Sequence, residues 1–298
     1  MLKRLAILYD CPYPFVQGGG QKRLYEISQY LLKQDWEVEW YALKFWEGPN
    51  IIKYEGITYN AVGKQTDIYN SAGKRKIWET IYYGISIAQH VELRKFDIML
   101  AGQWPLYHLI PARIFCFLGK SKLVVDFWEV WGRDHWISYF GKKGVLGLLL
   151  EKLLSRITPH IIAITLKGKD QLQDLGVSKD AVTFIPNGID FEKISNSNIK
   201  SDEFDLVYMG RLKDHKNVDH LVRAVSLLNE MGDFVTLQII GDGPERKNLE
   251  ALVKELDILD NVKFHSGIES DVEAYSRMKA SRLFVHPSTK EGGGSITV

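Results

Sequence analysis

Phe204-Asp205-Leu206-Val207-Tyr208-Met209-Gly210-Arg211-Leu212-Lys213-Asp214-His215-Lys216-Asn217 is an apolar run stopped by a glycine and followed by a cation-rich turn. From Val218 to Glu230 apolar residues then recur at helical spacing. A buried strand thus hands over to an amphipathic helix through a charged loop, with Asn217 or Asp219 placed to cap the helix. The pattern repeats downstream. Val235 to Ile240 reads as a strand, Gly241-Asp242-Gly243-Pro244-Glu245 as a tight turn, and Pro244 to Leu256 as a helix with proline in its first turn. Val262-Lys263-Phe264-His265 and Leu283-Phe284-Val285 are further strands. Alternation of this kind needs crossover connections and gives a mostly parallel sheet.

The same alternation fills the N-terminal part. Leu5 to Tyr9 is a strand that ends in the glycine-rich loop Gln17-Gly18-Gly19-Gly20-Gln21, with a helix predicted from about Gln21 to Lys33. Glu37 to Tyr41, Asp97 to Leu100, Lys122 to Val125 and Ile161 to Ile164 read as strands, and Gly144 to Arg156 and Leu166 to Leu175 as helices. Between the two halves Asn196 to Asp202 is polar and turn-prone, as an interdomain linker would be. The expected fold is α/β: two Rossmann-like domains facing across a cleft, residues 1–195 and 203–298, joined by a linker at 196–202.

Composition excludes several classes. Of 298 residues 45% are apolar and 25% charged, which suits globular domains with sizeable cores. The formal charge is +1, so no global basic field points to nucleic acid. Cys11 and Cys116 are far apart and outside any metal-ligand spacing, which fits a reducing compartment and argues against a zinc site. No apolar run approaches the ~20 residues of a spanning helix, and the first residues are too short for a signal-peptide core. The expected location is the cytoplasm.

In open α/β sheets ligands bind beyond the carboxyl ends of the strands. Four such ends carry suggestive loops. Gly18-Gly19-Gly20 combines close backbone approach with a helix N-terminus that offers N–H groups to an anion, although it lacks the order of a dinucleotide fingerprint. Arg211 and Lys216, beside Gly210, can fork onto or neutralise phosphate oxygens. Gly241-Asp242-Gly243-Pro244 reads alone as a tight connection and with its neighbours as a wall of a ligand cleft. In His286-Pro287-Ser288-Thr289-Lys290-Glu291-Gly292-Gly293-Gly294 one carboxylate precedes three glycines, which suits a hydroxyl-rich sugar held beside an anion.

Together with Ile185-Pro186-Asn187-Gly188-Ile189-Asp190, these motifs resemble, in order and spacing, the GT-B glycosyltransferases of family 4, also called group 1. The resemblance covers nearly the whole chain. It implies retaining, metal-independent transfer of a hexosyl unit from a UDP- or GDP-sugar to a glycan or lipid-linked acceptor, with no other cofactor. Arg211 and Lys216 would bind the diphosphate and stabilise its departure, and Glu291 would hold the donor sugar. Gly210, Gly241, Gly243, Gly292 and Gly293 would surround the donor, and Gly19 and Gly20 would close on the phosphates from the other domain.

The sequence departs from the family pattern twice. Lys122 to Gly132 reads Lys-Leu-Val-Val-Asp-Phe-Trp-Glu-Val-Trp-Gly, so Trp128 stands where many relatives have a histidine that contacts the transferred sugar. Asp126, Glu129 or His135 are the substitutes on the acceptor side. Trp128 itself would stack on a sugar, or, like Trp131 and Trp136, serve as a core aromatic. Second, the family's next glutamate falls one position past Val298, so the second domain is expected to be incomplete, with exposed apolar surface and weak or no activity.

Three other readings compete. One is a non-catalytic GT-B protein that binds a sugar nucleotide or a partner. Another is a GT-B epimerase, and the third an NAD-dependent oxidoreductase, disfavoured by the glycine spacing. Peripheral membrane contact is a further possibility, because Gly141-Lys142-Lys143-Gly144 leads into the apolar stretch Val145 to Leu150. A core-facing helix with a cationic start is the preferred reading of that segment.

Overall fold

The structure is a computed structural model that describes residues 3–68, 75–198, 202–268 and 270–289. The chain divides into two compact units, Met1–Asn187 and Gly188–Val298.

The first unit is built on an eight-stranded sheet in the order β3-β4-β2-β1-β5-β6-β7-β8. Its strands are β1 (Lys3–Leu8), β2 (Trp36–Lys44), β3 (Ile51–Tyr54), β4 (Ile57–Lys64), β5 (Ile98–Gly102), β6 (Lys122–Phe127), β7 (Ile161–Ala163) and β8 (Val182–Phe184). All neighbours run parallel except β3, which folds back antiparallel on β4. Helices α1 (Gly19–Leu32), α2 (Ile77–Ala88), α3 (Leu109–Gly119), α4 (Gly132–Phe140), α5 (Gly144–Leu154) and α6 (Leu166–Asp174) connect them.

Strand β1 shows why the sheet is covered on both sides. Its alternate residues serve two cores: Leu5 and Ile7 pack with Leu24 of α1, and Ala6 and Leu8 lie in the cluster that holds Tyr83 of α2, Phe115 of α3 and Leu154 of α5. The fully buried Trp40 and Tyr83 keep their polar atoms paired. Trp40 Nε1 donates to the Tyr9 carbonyl at 3.0 Å, and Tyr83 Oη to that of Tyr41 at 2.7 Å. Strand order reverses at β1, whose neighbours are β2 and β5. The carboxyl ends of β1 and β5 therefore form a topological switch point.

The second unit has a four-stranded parallel sheet, β11-β10-β9-β12, from β9 (Phe204–Met209), β10 (Leu237–Ile240), β11 (Val262–His265) and β12 (Ser281–Phe284). Helices α7 (Phe191–Ser195), α8 (Val218–Glu230), α9 (Arg246–Glu255) and α10 (Asp271–Lys279) accompany it. Here the switch point lies between β9 and β12. The segment read as a linker begins inside this unit, because Lys279 Nζ donates to the carbonyls of Ser195 at 2.9 Å and Ser197 at 3.0 Å. A lysine there satisfies carbonyls left over at the end of α7.

Several sequence expectations are corrected. Helix α1 starts at Gly19, so two of the loop glycines form its first turn. Pro244 lies ahead of α9, whose N-cap is Glu245. Asn217 holds the N-cap position of α8 in a left-handed conformation (φ 51°), but neither it nor Asp219 caps with its side chain. The leucines of α5 do not all face the core; Leu146, Leu149 and Leu153 point outward.

Candidate active site

In the second unit three strand ends are fastened into one surface. Gly210, after β9, donates its N–H to the Ile240 carbonyl at 3.0 Å, and Leu212 donates to Asp242 at 2.9 Å. Glu245 N–H returns to the Leu212 carbonyl at 3.2 Å. The Gly210–Asn217 and Gly241–Glu245 loops thus run against each other, closely enough that only glycine fits. A Cβ on Gly241 would lie 2.0 Å from the Gly210 oxygen, and one on Gly243 2.1 Å from the Leu212 oxygen.

The third strand end is tied to the first. Asn217 Nδ2 donates to the Pro287 carbonyl at 3.0 Å, and Ser288 Oγ and Thr289 N–H both donate to the His215 carbonyl at 3.2 Å. His286 stacks on Tyr208 with ring centres 5.9 Å apart. The chain therefore leaves Thr289 alongside the turn that carries Lys216. Leu212 is fully buried, Lys216 is half-buried at the start of α8, and Arg211 is exposed. The buried Leu212 anchors the loop that carries Arg211 and Lys216 beyond the end of β9. Glu291, Gly292 and Gly293 lie outside the described residues.

The first unit has its own construction at the carboxyl ends of β1, β5 and β6. Arg23, on α1, is buried there and uses its whole guanidinium. Its Nε donates to Asp126 Oδ2 at 2.8 Å and its Nη2 to Asp126 Oδ1 at 3.3 Å. The remaining donors reach the carbonyls of Pro186 at 2.8 Å and Ile185 at 3.0 Å, and Asn187 Oδ1 at 3.2 Å. Asp126 also accepts from Trp128 Nε1 at 2.8 Å. Completely buried and occupied by these donors, Asp126 anchors its neighbours and presents no oxygen to an acceptor.

Trp128 is half-buried and fixed from several sides. Its N–H donates to Gln103 Oε1 at 2.6 Å, and its ring meets Tyr9 edge-on at 5.0 Å. A Cβ on Gly20 would fall 2.2 Å from the indole, and one on Gly102 3.0 Å from it. Both glycines make room for this ring. Glu129 is exposed and accepts from Trp131 Nε1 at 2.8 Å. Trp131 stacks on His135 at 4.2 Å, while Trp136 is buried beneath. Gly19 has no neighbour within 4 Å of an added Cβ, and no side chain caps α1.

Three other buried acids lie in the same unit. Glu151 accepts from the N–H groups of Trp131 and Gly132, at 2.9 and 3.0 Å, and from Trp136 Nε1 at 2.9 Å, at the start of α4. Burial still raises its pKa. Asp10 and Glu79 share Arg75, which lies 3.0 Å from Glu79. Burial, and then the charge of Asp10, push the Glu79 carboxyl up to about 8 against the pull of Arg75. Asp10 Oδ1 and Glu79 Oε1 lack a donor, and a proton held on Glu79 supplies one. Burial drives the His108 imidazole down to about 4, so it is neutral.

The sequence did not single out Arg23, Glu151 or the Asp10–Arg75–Glu79 group. Asp126 carried the one available signal, because an acid ending an apolar strand is buried and requires a counter-charge. The partner's place in the chain is a matter of tertiary structure. Among the described residues no group of three or more His, Cys, Asp or Glu side chains is placed to hold a metal ion.

Residues 17–193 match the family described as Glycosyltransferase Family 4, and residues 190–298 match Glycosyl transferases group 1. The chain belongs to glycosyltransferase family 4. An uncharacterized glycosyltransferase of Methanocaldococcus jannaschii is 26% identical over 54% of this chain and 42% of its own length. The N-acetylgalactosamine-N,N'-diacetylbacillosaminyl-diphospho-undecaprenol 4-alpha-N-acetylgalactosaminyltransferase of Campylobacter jejuni is 27% identical over 65% of this chain and 52% of its own. The chain thus spans about half or less of the curated relatives it matches. Among solved structures, Anabaena Alr3699/HepE in complex with UDP and glucose superposes with a TM-score of 0.67 at 18% identity, covering 99% of this chain and 77% of that one. WaaG, a glycosyltransferase involved in lipopolysaccharide biosynthesis, gives 0.69 at 20% identity over 98% and 77%. At these identities the likeness establishes the fold, two Rossmann-like units of the GT-B class.

Proposed function

We propose that the family 4 chain transfers a hexosyl unit, with retention, from a UDP- or GDP-sugar to a glycan or lipid-linked acceptor. The observation that carries this reading is the fastening of three strand-end loops around Leu212, which sets Arg211 and Lys216 at the switch point of the second sheet. As the bond between the sugar and the diphosphate breaks, negative charge grows on the departing phosphate. Cations already held in place stabilise that charge without reorganising, which is usually the largest single catalytic contribution. Glu291, through its sequence match, is assigned the donor sugar hydroxyls. The same scheme needs no metal ion, because the two cations supply the positive charge.

Titration calorimetry with UDP, GDP and ADP tests the assignment. Micromolar binding of one nucleotide, abolished in an Arg211→Ala/Lys216→Ala variant, is the expected result. Equal binding by parent and variant would remove these residues from the donor site.

A second reading, binding without transfer, is favoured by Trp128. Its indole N–H is committed to Asp126 and its ring packs against Gly20, so it offers no acid, base or free polar group. Donor consumption separates the two: the transferase releases nucleoside diphosphate when supplied with acceptor, and the binding protein does not.

A further inference from the structure

The chain passes from one unit to the other between Asn187 and Gly188. Each side of that joint is gripped by a cation of its own unit. On the first side, Ile185 N–H donates to the Ala163 carbonyl at 3.0 Å, just past the end of β8. The Ile185 and Pro186 carbonyls and Asn187 Oδ1 then accept from Arg23, whose remaining donors hold Asp126. Arg23 is 7% exposed and Asp126 is fully buried. A planar fork with every donor occupied in a dry site is fixed in one orientation.

On the second side, Asp190 begins α7. Its Oδ1 accepts from Lys193 N–H at 2.9 Å and its carbonyl from Ile194 N–H at 3.0 Å. A helix of five residues does not hold itself together in water, so α7 needs outside support. Lys279 of α10 supplies it. Its ammonium reaches the Ile194 carbonyl at 3.3 Å, those of Ser195 and Ser197, and Asn198 Oδ1 at 3.1 Å. Between the two grips lie Gly188 and Ile189. Both are exposed, and among the described residues neither takes part in a hydrogen bond. A Cβ at Gly188 would meet nothing within 4 Å.

We propose that Arg23 and Lys279 act as two clamps that confine bending between the units to Gly188 and Ile189. A hinge needs only a few residues to absorb the change in φ and ψ. Here its length is set from outside, by one side chain in each unit. The first clamp has a further attachment. Arg23 belongs to α1, and its partner Asp126 also holds the Trp128 indole that packs on Gly20. The joint thus shares its support with the head of α1. The inference goes beyond the transfer reaction, and it stands whether or not the chain turns over a sugar nucleotide.

Amide hydrogen exchange, read residue by residue on the full chain, tests it. The expected parent pattern is protection at Ile185, Ile194 and Asn196, with fast exchange at Gly188 and Ile189 between them. Arg23→Lys keeps a positive charge against Asp126 but loses the fork. It should speed exchange at Ile185 by about tenfold or more, since hydrogen bonds to a charged group are lost, and leave α7 unchanged. Lys279→Met should do the converse, speeding Ile194 and Asn196 and sparing Ile185. Lys279 is exposed, so the second variant tests the joint even where the first folds poorly. Bending itself is read from spin labels at Lys53→Cys and Lys254→Cys, exposed positions with one in each unit. The native Cys11 and Cys116 are buried and stay unlabelled. The distance distribution should widen in each clamp variant. The proposal is overturned if the parent's flanks exchange as fast as Gly188, or if neither variant loosens its own side. It is also overturned if the distribution keeps its width in both variants, or if exchange in β1 and β10 rises as much as at the joint.

Discussion

Arg23 Nε and Asp126 Oδ2 meet at 2.8 Å with both side chains withdrawn from water, one on the first helix and the other at the end of the sixth strand. The same guanidinium holds the carbonyls of Ile185 and Pro186, so a single cation joins three distant segments of the first unit. Removing it would strand a buried carboxylate. Arg23→Met is expected to cost about 3–5 kcal/mol, measured by chemical denaturation. Arg23→Met/Asp126→Leu should recover a large part of that loss, and strict additivity of the two single changes would show that the pair does not interact.

Gly20 and Trp128 form a second coupled pair. Gly20→Ala drives a methyl group into the indole and should destabilise by about 1–3 kcal/mol. Replacing the indole with a smaller ring, Trp128→His, opens the space. The double variant Gly20→Ala/Trp128→His should therefore melt above Gly20→Ala alone. If it melts lower, the ring is not what excludes a side chain at position 20.

Much of this architecture was legible in the sequence, though unevenly. Val218 to Glu230 carried its apolar spacing clearly, and α8 has those bounds. The strand Val262 to His265 was equally plain, because apolar Val262 and Phe264 alternate with polar Lys263 and His265. The hairpin of β3 and β4 was missed; its residues are mixed in character, and no Asn-Gly or Asp-Gly turn announced it. At the site, the cation-rich turn was visible because it follows a strand and a glycine. Its attachment through Asn217 to Pro287 spans 70 residues, and no local pattern records such a bond. The same holds for Arg23, whose partner lies 103 residues away.

Gly243→Ala should disturb ligand binding more than folding. The added methyl group would press on the Leu212 oxygen and push apart the two loops that set Arg211 and Lys216. Nucleotide affinity is expected to fall by about tenfold or more, about 1.4 kcal/mol, in calorimetry with the nucleotide that the parent binds. Unchanged affinity would mean that the loops adjust independently of the cations.

Glu79 makes stability depend on pH in a defined direction. Folded, its carboxyl keeps a proton up to about 8; unfolded, it releases the proton near the ordinary value of 4.5. Between those limits the folded chain binds more protons, so this group makes stability fall as pH rises. Glu79→Gln mimics the protonated form. Its thermal midpoint relative to the parent should climb as pH rises across that window, and a constant difference would contradict the assignment.

The acid at the head of α4 has a consequence for where anions settle on the first unit. A helix start is a weak positive pole that will take whatever negative group comes within reach. At α4 the protein has filled that pole internally with Glu151, so phosphate arriving from solution finds no vacancy there. At α1 the corresponding pole has neither an acidic residue in its first turn nor a side chain folded over it. The carboxyl edge of the large sheet thus holds two helix heads of unequal local charge, one neutralised by a buried carboxylate and the other left positive.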